Sequence, residues 1–299
     1  FDDYEFTPLT TLGVSVGGEF PYENARTALK EAYRQRAAFL FADEVLEKAH
    51  KSIANNIEWI KKIKLAVTED RFFPFFQPIY NNSTDSSATY DCLFRMIDTN
   101  GEIISPFHFL EISKKAKYYH QLTKLMIDKS MEVFEKRNDE FSINLSGGDI
   151  ENDEVRMHIM KKLREKPDVA KRMVFELLED ENFEAFDILK SFVKEVKEYG
   201  VKIAVDDFGG GYSNFTRLMD FQPDILKLDG SLIKNIDKDE FSMNIVTTMQ
   251  SFAKKIGVKT VAEFVSTEEV YKIINELGID YSQGYYVAPP MSLTELSGS

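Results

Sequence analysis

From residue 72 to the C-terminus, short β-rich runs alternate with amphipathic helical stretches, and this alternation limits the fold more than any other feature of the chain. Eight runs read as strands: "PFFQPIY", "TYDCLFRMI", "EFSINLS", "RMVFELL", "KIAVDD", "DILKLD", "KTVAEF" and "YSQGYYV". Between most of them lie helix-period segments such as "DEVRMHIMKKLREK", "FDILKSFVKEVKEYG" and "FSMNIVTTMQSFAKKIG". Repeated strand–helix alternation predicts an α/β fold with a parallel sheet. Eight strands in roughly 230 residues suit closure into a (β/α)₈-type barrel better than an open sheet. No fixed-period repeat is present, which excludes a solenoid.

Residues 1–69 have a different character and form a separate N-terminal segment ahead of a barrel domain at 70–299. "LTTLGVSVGGEF" reads as a strand, and residues 23–69 read as long helices, "ENARTALKEAYRQRAAFLFADEVLEKAHKSI" and then "IEWIKKIKLAV". The chain opens on Phe1 without a methionine, as expected of a piece of a longer protein. The formal net charge of −13 disfavours binding to a DNA or RNA duplex, because the phosphate backbone repels it. Cys92 is the single cysteine, so no intrachain disulfide can form and a reducing cytoplasm is expected. No apolar run is long enough to predict a membrane segment. A homodimer is left open.

The chemistry gathers at the ends of the strands, where a parallel barrel places its loops and its active site. "FSINLS" carries Asn144 near its end, Glu176 and Glu179 sit in "MVFELLED", and Asp206 and Asp207 end "KIAVDD". Lys227 and Asp229 belong to "DILKLD", and Glu263 follows "TVA". Any one of these could be a helix cap or a solvated loop residue. Five strands delivering such groups to one mouth point elsewhere. Carboxylates at that density repel one another unless neutralised, and a hard divalent cation such as Mg²⁺ or Mn²⁺ is the direct solution. The four histidines, His50, His108, His120 and His158, are scattered and suggest no zinc site. Neighbouring residues of a regular strand face opposite ways, so Asp206 and Asp207 can share a site only if the backbone bends at the strand end. They could then reach two ions a few Å apart, the usual clamp for phosphoester displacement.

These motifs resemble the EAL-domain phosphodiesterases, which hydrolyse the bacterial messenger cyclic di-GMP. "FFQPIY", "YDCLFRM", "INLS", "FELLE", "VDDFGGGYSN", "DILKLDGSLI", "VAEFVS" and "DYSQGYYVAPPM" occur in the family's order over about residues 70–293. The resemblance implies a modified TIM barrel, one or two Mg²⁺ or Mn²⁺ ions at its mouth, and the linear product pGpG. It implies that Asp91, Asn144, Glu176 and Asp206 hold one ion, and that Asp207 and Glu263, with Asp206 bridging, hold a second. Lys227 would position the attacking water, with Glu263 helping to deprotonate it, and Glu179 would brace the loop "DDFGGGYSN". Gln77, Leu93, Arg95, Asp229, Gln283 and Pro290 would line the nucleotide site, Arg95 reaching a phosphate.

Three departures stand out. The signature Glu-Ala-Leu reads Asp91-Cys92-Leu93, "AEGVE" reads "AEFVS" with Phe264 and Ser266, and "DFGTG" reads "DFGGG" with Gly210. Those at Asp91 and Ser266 favour a competing reading, a receptor that holds cyclic di-GMP uncut and relays occupancy through the helix at 45–69. The N-terminal "VGGEF" looks like the GGDEF signature of diguanylate cyclases but is one acid short. With some 60 residues ahead of the barrel, at most the tail of such a domain is expected, without cyclase activity.

Overall fold

Each of the eight apolar runs forms a strand, and together they close into a ring. The structure, a computed structural model, describes residues 10–16, 19–84, 86–178, 186–210 and 222–298. The chain divides into two units between Leu65 and Ala66. In the first, β1 (Leu12–Val14) and β2 (Phe39–Phe41) pair in parallel around the helix Pro21–Gln35. That helix lies so close to Gly13 that a Cβ there would fall 2.1 Å from the Ala25 carbonyl oxygen. The helical reading of residues 23–69 needs correction here. Arg36 takes a left-handed conformation at φ 54° and ends the first helix, and "FLF" pairs as a strand before the helix Ala42–Thr68 begins. Aromatic residues with a partner strand in reach prefer the sheet.

The second unit is the barrel. Its strands are β3 (Phe72–Asn81), β4 (Ser86–Ile97), β5 (Ile103–Ile104), β6 (Glu140–Leu145), β7 (Met173–Leu178), β8 (Lys202–Phe208), β9 (Ile225–Leu228), β10 (Lys259–Ala262) and β11 (Tyr281–Ser282). They run in the order β3-β11-β10-β9-β8-β7-β6-β4-β5, and β3 also pairs with β4, which closes a ring of eight with β5 outside it. The expected parallel arrangement holds from β4 through β6 to β11. It fails at β3, which is antiparallel to both β4 and β11. The reason is the connection: β3 ends at Asn81 and β4 starts at Ser86, too few residues for a crossover, so the chain turns back as a hairpin.

Strand alternation sorts the side chains. Phe141, Ile143, Phe175, Leu177, Ile203, Val205, Leu226 and Leu228 point outward and form the core under the surrounding helices. Ser142, Val174, Glu176, Ala204, Ile225, Lys227 and Val261 point inward, around a cavity of about 180 Å³ in the barrel stem. Three of the covering helices start on side-chain caps, Asn152, Asp239 and Thr267, each accepting from a backbone N–H in the first turn. Such a cap is worth about 1 kcal/mol.

Phe134 ties the barrel's closing seam to its helix layer. It ends the helix Tyr119–Phe134, stacks on Phe141 at 4.4 Å and meets Phe76 edge-on at 5.6 Å. It thereby touches β3 and β6 from outside. Phe134→Ala is expected to lower the unfolding free energy by about 3–5 kcal/mol, and Phe134→Leu by much less, in urea titrations followed by circular dichroism.

Candidate active site

Lys227 points inward from β9 and is 1% exposed. A lone ammonium at that depth would lose its proton. Here four carboxylates from four other strands surround it. Its Nζ lies 2.7 Å from Glu176 Oε2 on β7, 3.0 Å from Glu263 Oε1 just past β10, 3.2 Å from Asp206 Oδ1 on β8, and 3.7 Å from Asp91 Oδ2 on β4. Burial works against the charge, but Asp206, Glu176, Glu263 and Asp91 outweigh it and hold the ammonium well above its ordinary range.

One ammonium cannot balance that many acids, and the excess shows in their protonation. Burial, joined by repulsion from Asp91, pushes Glu176 well above the usual carboxylate range despite its bond to Lys227. Burial also lifts Glu263 to about 8, with Asp206 adding and Lys227 opposing. Asp207 rises to about 6, through burial first and then through Asp206 and Asp229.

The adjacent aspartates meet at one site because β8 is irregular. Its pairing with β9 slips between Val205 and Phe208, and Asp207 adopts φ 54°. A bulge of this kind re-aims side chains at a strand end. One carboxylate oxygen each from Asp206, Asp207 and Glu263 lie within 4.8 Å of one another. These donors are all hard oxygens, and Asp91 Oδ1 is buried without a hydrogen-bond partner among the described residues. The set suits a divalent cation. Of the residues expected at the first ion, Asp91, Glu176 and Asp206 converge on Lys227. Asn144 pairs in register with Glu176 and is exposed at the mouth.

A layer of amides supports Asp91. Gln283 Nε2 donates to Asp91 Oδ2 at 3.0 Å and to Gln77 Oε1 at 3.2 Å, and Gln77 Nε2 donates to the Ala288 carbonyl. Gly284 lets this turn pass β10, since a Cβ there would sit 2.2 Å from the Val265 carbonyl oxygen. Pro290 is half-buried, and the next residue, Met291, bridges back to Phe76 beside Gln77. Leu93 follows Asp91 on the same face of β4 and lines a 220 Å³ cavity with Asn144, Pro106, Tyr119 and Leu178. Arg95, two residues further, donates to the Phe94 carbonyl at 2.7 Å and stands 5.7 Å from the Phe75 ring. Cys92 faces away, and Ser130 bonds to it.

Asp229 lies past the end of β9. Its carboxylate caps the helix Gly230–Ile233 through the Ser231 N–H at 2.9 Å, and it also adjoins Asp207. Glu179 and the loop after Gly210 lie outside the described residues. Two features escaped sequence reasoning. Tyr285 is 76% exposed and within electrostatic reach of Arg95, and Phe264 takes a left-handed backbone beside Glu263. Only the adjacency of Tyr285 to Gln283, and the Phe in place of Gly, hinted at them.

The EAL-domain family model matches residues 60–290. The chain belongs to the EAL-domain family. Among curated EAL relatives, it is 27% identical to cyclic di-GMP phosphodiesterase PdeF of Escherichia coli K12, over 82% of this chain and 33% of that protein. It is 26% identical to cyclic di-GMP phosphodiesterase PdeA of Borreliella burgdorferi, over 87% of this chain and 39% of that one. The chain thus spans between a third and two-fifths of the length of these relatives. The EAL fold recurs in a PaMucR phosphodiesterase–c-di-GMP complex, at TM-score 0.74 and 21% identity, covering 80% of this chain and 99% of that one. It recurs again in the Pseudomonas aeruginosa FimX EAL domain bound to c-di-GMP, at TM-score 0.73 and 19% identity, covering 79% and 97%.

The raised carboxyls set a pH dependence for this EAL domain. Glu263 moves from 4.5 to about 8 and Asp207 from 3.8 to about 6, so the folded state holds protons that the unfolded state has released. Stability without cations therefore falls as pH rises through that window. In a chelator, the melting temperature is expected to drop between about pH 5 and pH 8. Stabilisation by added Mg²⁺ or Mn²⁺ should grow over the same range, because a cation needs the deprotonated oxygens. Differential scanning calorimetry at fixed ionic strength checks both slopes.

Proposed function

We propose that this chain is a metal-dependent phosphodiesterase that hydrolyses cyclic di-GMP to linear pGpG, as part of a cytoplasmic signalling protein. The observation that carries the reading is the set of five acids, Asp91, Glu176, Asp206, Asp207 and Glu263, gathered around Lys227 or beside it at the barrel mouth. Mg²⁺ or Mn²⁺ fits the oxygen donors, with Asp206, Asp207 and Glu263 as holders and Asp91, Glu176 and Asn144 available to a second ion. Such an ion supplies Lewis acidity at the phosphoester oxygens.

The protein's own groups do the rest. An ammonium has three N–H donors; Glu176 accepts one at 2.7 Å, while Glu263 and Asp206 stand 3.0 and 3.2 Å away as ion-pair partners. Lys227 Nζ, held 2.7 Å from Glu176, would orient the attacking water through its remaining N–H donors. Glu263, whose carboxylate stands 3.0 Å from Lys227 Nζ, would take a proton from a water held there. Water adds to phosphorus, one P–O3′ bond breaks, and the 3′ oxygen leaves protonated. Arg95 anchors a phosphate through paired N–H donors, which a lysine cannot reproduce. The cavity beside Leu93 accepts an apolar ring face.

The receptor reading rests on Asp91. Its carboxylate is one methylene shorter than the family's Glu and is already bonded to Gln283. Misplacing a ligand by about 1 Å can cost about 100-fold in rate. Incubation with cyclic di-GMP and Mg²⁺ or Mn²⁺, followed by chromatography, decides between the two: pGpG supports the enzyme, and tight binding with no pGpG supports the receptor.

Two substitutions sharpen the test. Asp207→Asn is expected to lower turnover at least 100-fold, with nucleotide affinity in chelator within about threefold of the parent. Near-normal turnover at saturating substrate would sink the assignment of the cation to this trio. Arg95→Ala is expected to weaken nucleotide binding at least tenfold by calorimetry, and unchanged affinity would remove Arg95 from the phosphate site.

A further inference from the structure

Phe264 directly follows Glu263 at the exit of β10, and two of its features are unusual. Its φ is 53°, a left-handed backbone that bulky residues rarely adopt. The residue is 55% exposed, so burial does not explain why the conformation is kept. Strain of this kind persists where neighbours hold it in place, and it concentrates at ligand sites.

The neighbours that hold it are specific. A Cβ on Gly230 would fall 2.2 Å from the Phe264 ring, so the ring can lie there only because position 230 is glycine. Lys234, at the end of the same short helix, stands 4.5 Å from the ring centroid and has no carboxylate partner among the described residues. A largely exposed aromatic residue and the ammonium lying over its ring thus adjoin a mouth that is otherwise acidic. A purine stacks on the first and a phosphate pairs with the second.

The ligand's symmetry strengthens the case. Cyclic di-GMP has two bases and two phosphates. Arg95 lies on β4, separated from β10 by β11 and β3 around the ring, and can serve one half of the ligand. We propose that Phe264 and Lys234 form the subsite for the other half, with one guanine on the Phe264 ring and Lys234 facing its phosphate. Phe264 stands where the family's "AEGVE" motif has glycine. The inference rests on the cyclic di-GMP reading above.

The test uses the full chain and cyclic di-GMP. Phe264→Gly, Phe264→Tyr and Lys234→Met are compared with the parent for affinity in chelator, for KM and kcat with Mg²⁺, and for melting temperature. Loss of one stacked base predicts a 5- to 100-fold weaker affinity for Phe264→Gly, with a matching rise in KM and kcat within about threefold. Its melting temperature should be equal or higher, because glycine accepts φ 53° without strain. Phe264→Tyr keeps the ring and should keep the affinity, and Lys234→Met should weaken it severalfold. Unchanged affinity in Phe264→Gly overturns the subsite and leaves the phosphodiesterase reading standing. A Phe264→Gly chain that loses affinity and melting temperature together also overturns it, since the ring would then serve stability. A parent chain that binds no cyclic di-GMP overturns both.

Discussion

Everything at the mouth of this barrel depends on the ammonium of Lys227. Stripping a lysine of water costs several kcal/mol, and the site recovers this only by bringing acids from β4, β7 and β8, and from the exit of β10, to within 3.7 Å of one nitrogen. The ring must close with the right strand order and register for those acids to meet. The charge cluster is therefore a consequence of closure as well as a check on it. A slip of one residue in any contributing strand would turn its acid outward into the apolar layer.

The cluster is also over-supplied with negative charge. Lys227 stays protonated while Glu176 and Glu263 are pushed upward, which is the behaviour of a site with more acids than its lysine can balance. A structural ion pair would match its charges and lower its carboxyls. This site keeps acids in reserve, at the edge of protonation, where added positive charge is strongly favoured. Asp206 and Glu263 belong both to the ion pairs of Lys227 and to the trio that suits a cation.

Two left-handed residues frame the centre. Asp207 at φ 54° lets adjacent aspartates face one point, and Phe264 at φ 53° turns a ring outward beside Glu263. Both lie at the exits of parallel strands, where the ladder has ended and the backbone is free to depart from regular geometry. Glycine relieves the crowding each time the chain passes close to itself here, at Gly230 beneath Phe264 and at Gly284 against Val265.

Much of this was legible in the amino-acid sequence. Strand count, the inward and outward alternation, and the polar residues at strand ends are written in short-range periodicity, because a strand exposes every second residue to the same side. Asn144, Glu176, Asp206, Asp207, Lys227 and Glu263 come from strand ends that such a pattern marks, whereas Gln77, Asp91 and Gln283 were marked only by the resemblance to the EAL family. The sequence did not reveal that Lys227, rather than a cation alone, neutralises the acids, since which charges meet depends on register between strands far apart in the chain. Nor did helical periodicity show the break at Arg36 or the strand "FLF", whose partner β1 lies some two dozen residues earlier. The antiparallel course of β3, the bulge that unites Asp206 with Asp207, and the seat of Phe264 on Gly230 were decided by tertiary structure alone. Each depends on what a distant segment places alongside, and local pattern carries no information about that.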